Sequence, residues 1–154
     1  MTMDFMTAVR TVLTERYAKF EGRASRSEYW WFFLAILIGS VITQMIWWPL
    51  YAIFALAILC PALAVGWRRL QDTGRPGWYI VIPFGLSLLN TLLAPTMPDE
   101  TAMAQGELPS IGAVALSGAL GIVSLVIFLL YLWWLTRPSD PEPNQYGPPP
   151  AAVS

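Results

Sequence analysis

Tyr29 to Trp67 reads YWWFFLAILIGSVITQMIWWPLYAIFALAILCPALAVGW, 39 residues without one Asp, Glu, Lys or Arg. As a single helix it would run about 58 Å at 1.5 Å per residue, roughly twice the ~30 Å hydrocarbon core of a bilayer. The stretch therefore predicts two membrane spans. Pro49 is the natural turn, because proline removes a backbone donor and disfavours continued helix. Span one is placed at Tyr29–Trp48 and span two at Leu50–Trp67. The pairs Trp30/Trp31 and Trp47/Trp48 fit aromatic belts at the two interfaces.

Two further apolar runs follow. Trp78 to Ala94 is the weaker, with Pro83 and Gly85 inside it, so a kink or a re-entrant excursion is an open alternative to a full span. Ile111 to Leu135 is 25 residues long and must tilt or project beyond the core. A central Lys or Arg would add about 2.5 to 3.5 kcal/mol, against roughly −0.3 to −0.6 for each Leu or Ile. None of the four runs holds one. The whole chain of 154 residues is 56% hydrophobic and 12% charged, where about 25% charged is usual for a soluble domain. The expected fold class is all-α, a polytopic membrane protein with four transmembrane helices and an N-terminal amphipathic helix.

Basic residues give the orientation. Arg10, Arg16, Lys19, Arg23 and Arg26 precede span one; Arg68, Arg69 and Arg75 lie between spans two and three; Arg137 opens the tail. The loop after span three carries Asp99, Glu100 and Glu107 and no cation. Basic residues in short loops mark the cytoplasmic side, so both termini and the middle loop are expected there, in a plasma membrane. The first 28 residues hold four acidic residues and no apolar core, unlike a signal peptide.

Three parts are expected: residues 1–24, a cytoplasmic amphipathic helix and linker; 25–137, the transmembrane domain; 138–154, a proline-rich cytoplasmic tail. In the first, Phe5, Val9, Leu13, Arg16, Tyr17 and Phe20 recur at helical spacing, so the helix either lies in the membrane interface or packs on the loops. Ser25 followed by Glu28 reads as a capping box that starts span one near Arg26. The tail has six prolines and is expected to be extended and solvated.

Three stretches on the cytoplasmic side carry a resemblance. They are Gly22-Arg23-Ala24-Ser25-Arg26-Ser27-Glu28-Tyr29-Trp30-Trp31, Arg68-Arg69-Leu70-Gln71-Asp72-Thr73-Gly74-Arg75-Pro76-Gly77-Trp78, and Asn144-Gln145-Tyr146-Gly147-Pro148. Together they resemble the bacterial domain-of-unknown-function family 805, small inner-membrane proteins. The resemblance implies a multi-span inner-membrane fold and no assigned activity. Members of that family commonly have His where this chain has Gln71, and Ser or a similar residue in place of Pro76. Any proton chemistry of that His would be lost here.

The candidate cluster is Arg23, Arg26, Glu28, Arg68, Arg69, Asp72 and Arg75. Asp72 can pair with Arg68 at i,i+4 or with Arg69 at i,i+3, and Gly74 is free to take positive φ in the turn that follows. One reading is that these residues fix topology and tie helices together. The other is an arginine-lined pocket for a phosphate-bearing headgroup, which suits the planar guanidinium fork. The first is the stronger, since juxtamembrane cations are expected for topology alone.

Catalysis is not expected. With no histidine there is no Ser-His or Cys-His pair and no imidazole metal site. Lys19, the only lysine, lies in no phosphate-binding glycine loop. Cys60 is alone within an apolar run and reads as a packing residue. No cofactor, metal or nucleic acid is implied. Gln44, Asn90 and Thr91 read as interhelical hydrogen-bonding groups, and Ala113, Ser117 and Gly121 as a close-packing stripe. The expected role is a non-catalytic module binding membrane lipids or a protein partner at its cytoplasmic face, with a homo-oligomer allowed. The alternative is a small oligomeric transporter or channel.

Overall fold

The computed structural model describes residues 3–93, 106, 108 and 110–150. Those residues are helical apart from turns, loops and one isolated bridge between Asn144 and Gly147. By packing the chain divides into two units, Met1–Ile80 with Trp134–Ser154, and Val81–Trp133.

The first unit opens with helix α1, Phe5–Arg10. Asp4 caps it: its carboxylate accepts from the Thr7 amide at 2.8 Å and from the Thr7 hydroxyl at 2.9 Å. Those bonds hold the Asp4 pKa below its ordinary value. From Thr11 to Glu15 the chain winds more loosely, as a π-turn, and ends where Arg16 takes φ −133°. The wider turn advances the register, so the buried positions are Ala8, Thr11 and Val12, while Leu13 and Tyr17 of the expected apolar face stay exposed. The segment is thus a short helix packed by a shifted face, and it stops before Tyr17 and Phe20.

Helix α2 runs from Arg26 to Ile46 and α3 from Trp48 to Asp72. Ser25 caps α2 as its sequence predicts, its hydroxyl accepting from the Glu28 amide at 3.2 Å. The break between the helices falls at Trp47, which is extended at φ −170°, ψ 128°. Pro49 sits inside the first turn of α3 instead of forming the turn itself. There its missing N–H costs nothing, because first-turn amides have no partner within the helix. At Gly39 the two helices meet closely: a Cβ there would stand 2.5 Å from the Phe54 ring.

Pro61 lies within α3. Its missing N–H leaves the carbonyl four residues back without its usual donor. That carbonyl is Ala57, and the Tyr17 hydroxyl donates to it at 2.5 Å. The N-terminal segment is therefore fastened to α3 where the helix cannot satisfy itself. Val12, Ala24, Phe32 and Val65 form the small core beside this point, with Val9, Tyr29, Ile36, Ile58 and Ala62 packed on it. Beyond that core, Leu37, Val41, Met45, Ile53 and Leu56 present an exposed apolar surface.

After α3 the chain turns at Gly74, φ +74°, and makes a 3-10 turn, Gly77–Ile80. Helix α4, Val81–Leu93, follows, and α5 is Ile111–Thr136. In the second unit Asn90 donates to the Ser124 hydroxyl at 2.5 Å, and Ser124 donates to the Leu120 carbonyl at 2.7 Å. Among the described residues three helices, α2, α3 and α5, are long and apolar enough to cross a membrane; the apolar Gly77–Leu92 is shorter. Ala113 and Ser117 fall on the less exposed face of α5, whereas Gly121 is exposed.

Candidate functional site

Charged side chains of the first unit gather around the last turn of α3. The positioning begins with the backbone, where the Ala24 amide donates to the Arg68 carbonyl at 3.1 Å and draws the segment before α2 onto the end of α3. Gln71 strengthens this contact. In the amide orientation assigned to it by its neighbours, which satisfies both ends, it donates to the carbonyls of Gly22 at 2.8 Å and Phe20 at 3.0 Å, and accepts from the Trp67 indole at 3.1 Å. Trp67 is held in turn by an edge-on contact with Phe20, 5.8 Å between centroids. Gly77 packs against the indole so closely that any Cβ there would collide with it.

Two carboxylates then organise four arginines. Asp72 receives Arg23 Nε at 2.9 Å on one oxygen and Arg69 Nη1 at 2.5 Å on the other. Glu28 receives Arg68 Nη1 at 2.6 Å and Arg16 Nη1 at 3.3 Å. Arg23, Glu28, Arg68, Arg69 and Asp72 are all buried. Buried charges are stable only when paired and hydrogen-bonded, and main-chain carbonyls supply further acceptors to Arg69 and Arg23. Arg69 donates to the carbonyls of Leu135, at 3.1 Å, and Arg137. Arg23 donates to those of Asp140, Glu142, at 2.8 Å, and Gly147, at 3.4 Å.

The tail is consequently part of this site. The Asp140 amide donates to the Asp72 carbonyl at 3.2 Å, and the Asn144 side chain donates to the Gln71 carbonyl at 3.0 Å. Asn144 also accepts from the Tyr146 amide at 2.9 Å, closing a turn that Gly147 completes at φ +126°. The expected solvated tail is, over residues 138–150, a strap laid across the arginines. The reason is a surplus of buried guanidinium donors over carboxylate acceptors.

Of the seven candidate residues, five meet in this buried ionic cluster. Arg26 is exposed, with a single long bond to the Thr136 carbonyl at 3.4 Å. Arg75 stacks over the Trp134 ring at 5.0 Å and donates to the Thr73 carbonyl at 3.1 Å. Partial burial, and then the like charge of Arg137, lower the Arg75 pKa from its ordinary value. Arg16 joins the cluster although sequence reasoning assigned it to the helix face. Tyr17 and the tail carbonyls were missed as well. Pro61 was the signal for Tyr17, since an interior proline always leaves one carbonyl to be satisfied.

Beside the cluster lies an open cleft of about 800 Å³. Ser25, Arg26, Ser27 and Ser139 give it polar walls, and Trp30, Trp31 and Leu34 an apolar floor. Its polar end is the start of α2, where first-turn amides lack partners within the helix and attract negative charge. Among the described residues no group of His, Cys, Asp or Glu could hold a metal ion.

Residues 17–148 match the model of a family described as "Protein of unknown function (DUF805)". The inner membrane protein YhaH of Escherichia coli (strain K12) is 34% identical over 84 residues, covering 46% of this chain and 69% of YhaH. The inner membrane protein YhaI of the same strain is 38% identical over 77 residues, covering 46% of this chain and 65% of YhaI. No solved structure matches the chain.

Proposed function

The chain belongs to the DUF805 family, and from that premise we propose an integral inner-membrane protein that binds an anionic lipid headgroup at its cytoplasmic face without catalysing a reaction. The similarity to YhaH and YhaI, both called inner membrane proteins, supports the location. The shared ends of the helices support four spans, and the basic residues before α2, between the second and third apolar runs and after α5 support cytoplasmic termini. The start of α2, the end of α3 and the end of α5 are bonded together through Ala24, Arg68, Arg69 and Leu135. In this reading those ends share one side of the membrane, α5 starts on the other, and the chain after Asp72 crosses once more through the apolar segment Trp78–Ala94.

The observation that carries the binding reading is the cleft at the start of α2. The buried arginines are each paired with a carboxylate, but Arg26 makes no ion pair among the described residues. It stands with Ser27 and Ser139 above Trp30, Trp31 and Leu34. A phosphate accepts from an arginine and from helix N-terminal amides, and acyl chains fit an apolar floor that continues into a spanning helix. Basic pockets at the cytoplasmic ends of spans suit anionic headgroups in this way. Native mass spectrometry of detergent-released protein tests it. Anionic-lipid adducts on the wild type should fall severalfold in Arg26→Glu; equal adducts in both would overturn the reading.

A further inference from the structure

A second cavity, of about 310 Å³, is lined by Arg16, Lys19, Glu21, Gly22, Arg23 and Tyr146. We infer that it is a binding site for a phosphate-type anion, built between the segment before α2 and the C-terminal strap. Three basic side chains face it and one carboxylate, Glu21. Their charges are incompletely spent elsewhere. Lys19 is exposed and makes no ion pair among the described residues. Arg16 reaches Glu28 only at 3.3 Å, while Arg68 holds the same carboxylate at 2.6 Å. Arg23 shares Asp72 with Arg69. Behind the cavity, four arginines therefore face two carboxylates, and the unbalanced positive charge is focused where low-dielectric walls meet water.

The walls are also held in place. Arg23 is buried and bonded on all three guanidinium nitrogens. Gly22 takes φ +90° beside it, and Tyr146 is fixed through the Asn144 turn. An anion entering here meets Arg16, the exposed Lys19 and the Tyr146 phenol, with the charge of the buried Arg23 behind them. The tetrahedral oxygens of a phosphate can accept from all three. The size admits a phosphate with a small substituent, so inorganic phosphate and the phosphomonoester head of a lipid share the required chemistry. Arg26 takes no part in this lining, and the inference stands independently of the cleft at the start of α2.

The test uses the full chain in a neutral detergent with inorganic phosphate as the probe, followed by calorimetry. Wild type should bind saturably. Lys19→Glu, at an exposed position that should fold normally, should weaken binding by about tenfold or more, and Lys19→Arg should restore it. Arg26→Ala should leave it unchanged. No binding by wild type, or equal binding by wild type and Lys19→Glu, would overturn the assignment. Displacement of bound phosphate by dihexanoyl phosphatidic acid would assign a lipid monoester as the occupant. Failure to displace it would assign the free anion; either result requires the site.

Discussion

Two arginine–carboxylate–arginine triads occupy the same end of α3, and they are finished to different degrees. Around Asp72, every guanidinium nitrogen of Arg23 and Arg69 donates, to the carboxylate or to main-chain carbonyls. Around Glu28, Arg68 donates through Nη1 alone among the described residues, and its Nε and Nη2 are buried without a partner among them. Arg16, the other member, has a side chain 38% exposed. What separates them is the supply of backbone acceptors: the C-terminal end of α5 and the tail bring carbonyls to the first triad and, among the described residues, none to the second. Neutralising a buried charge is only half of stabilising it, because each buried donor also needs an acceptor.

The comparison predicts an ordered series of effects on stability, each read by unfolding in mixed detergent. Asp72→Asn should be the most damaging, at about 3–5 kcal/mol, since two buried arginines lose their shared counter-charge. A loss below about 1 kcal/mol would show that the carbonyls suffice. Ending the chain at Arg137 should cost about 2–3 kcal/mol by removing the carbonyl acceptors of Arg23. The loss stays below the sum of about 1.5–3 kcal/mol per bond to a charged group, because water reaches the uncovered guanidinium in their place. An unchanged midpoint would mean that the tail merely rests on the surface.

A single carbonyl gives the next test. Ala57 presents an acceptor that Pro61 leaves without a donor, the converse of the orphaned donors of Arg68, and Tyr17 supplies the missing hydroxyl. Tyr17→Phe should cost about 1 kcal/mol. In a Pro61→Ala background, where α3 can close its own bond, the cost should shrink; equal costs in both would dissociate Tyr17 from the proline. The smallest effect is expected for the paired change Glu28→Leu with Arg68→Met, within about 1 kcal/mol of wild type, because an incompletely bonded ion pair can be exchanged for apolar packing. A loss as large as that of Asp72→Asn would erase the distinction between the triads.

Legibility from sequence followed the range of each interaction. The three long apolar helices were readable because long uncharged runs have few other uses, and the Ser25 cap and the Arg69–Asp72 pair were readable because their partners lie three residues apart. Glu28 and Arg68 are 40 residues apart, and helical spacing offered Arg68 to Asp72 instead. The strap was the least visible. Its main acceptors are carbonyls, which every residue carries, so Asp140, Glu142 and Gly147 bear no compositional mark of the role. Periodicity also misplaced the N-terminal face, since the π-turn at Thr11–Glu15 breaks the spacing on which it depends. At Trp47 a proline-based rule placed the helix break two residues late.

The account turns on the tail folding back over the segment that precedes α2. A photo-crosslinking amino acid in place of Tyr146, activated in native membranes and mapped by peptide mass spectrometry, tests this directly. The adducts should fall within residues 16–23, which face Tyr146 across one cavity. Adducts confined to lipid, solvent or other proteins would contradict it.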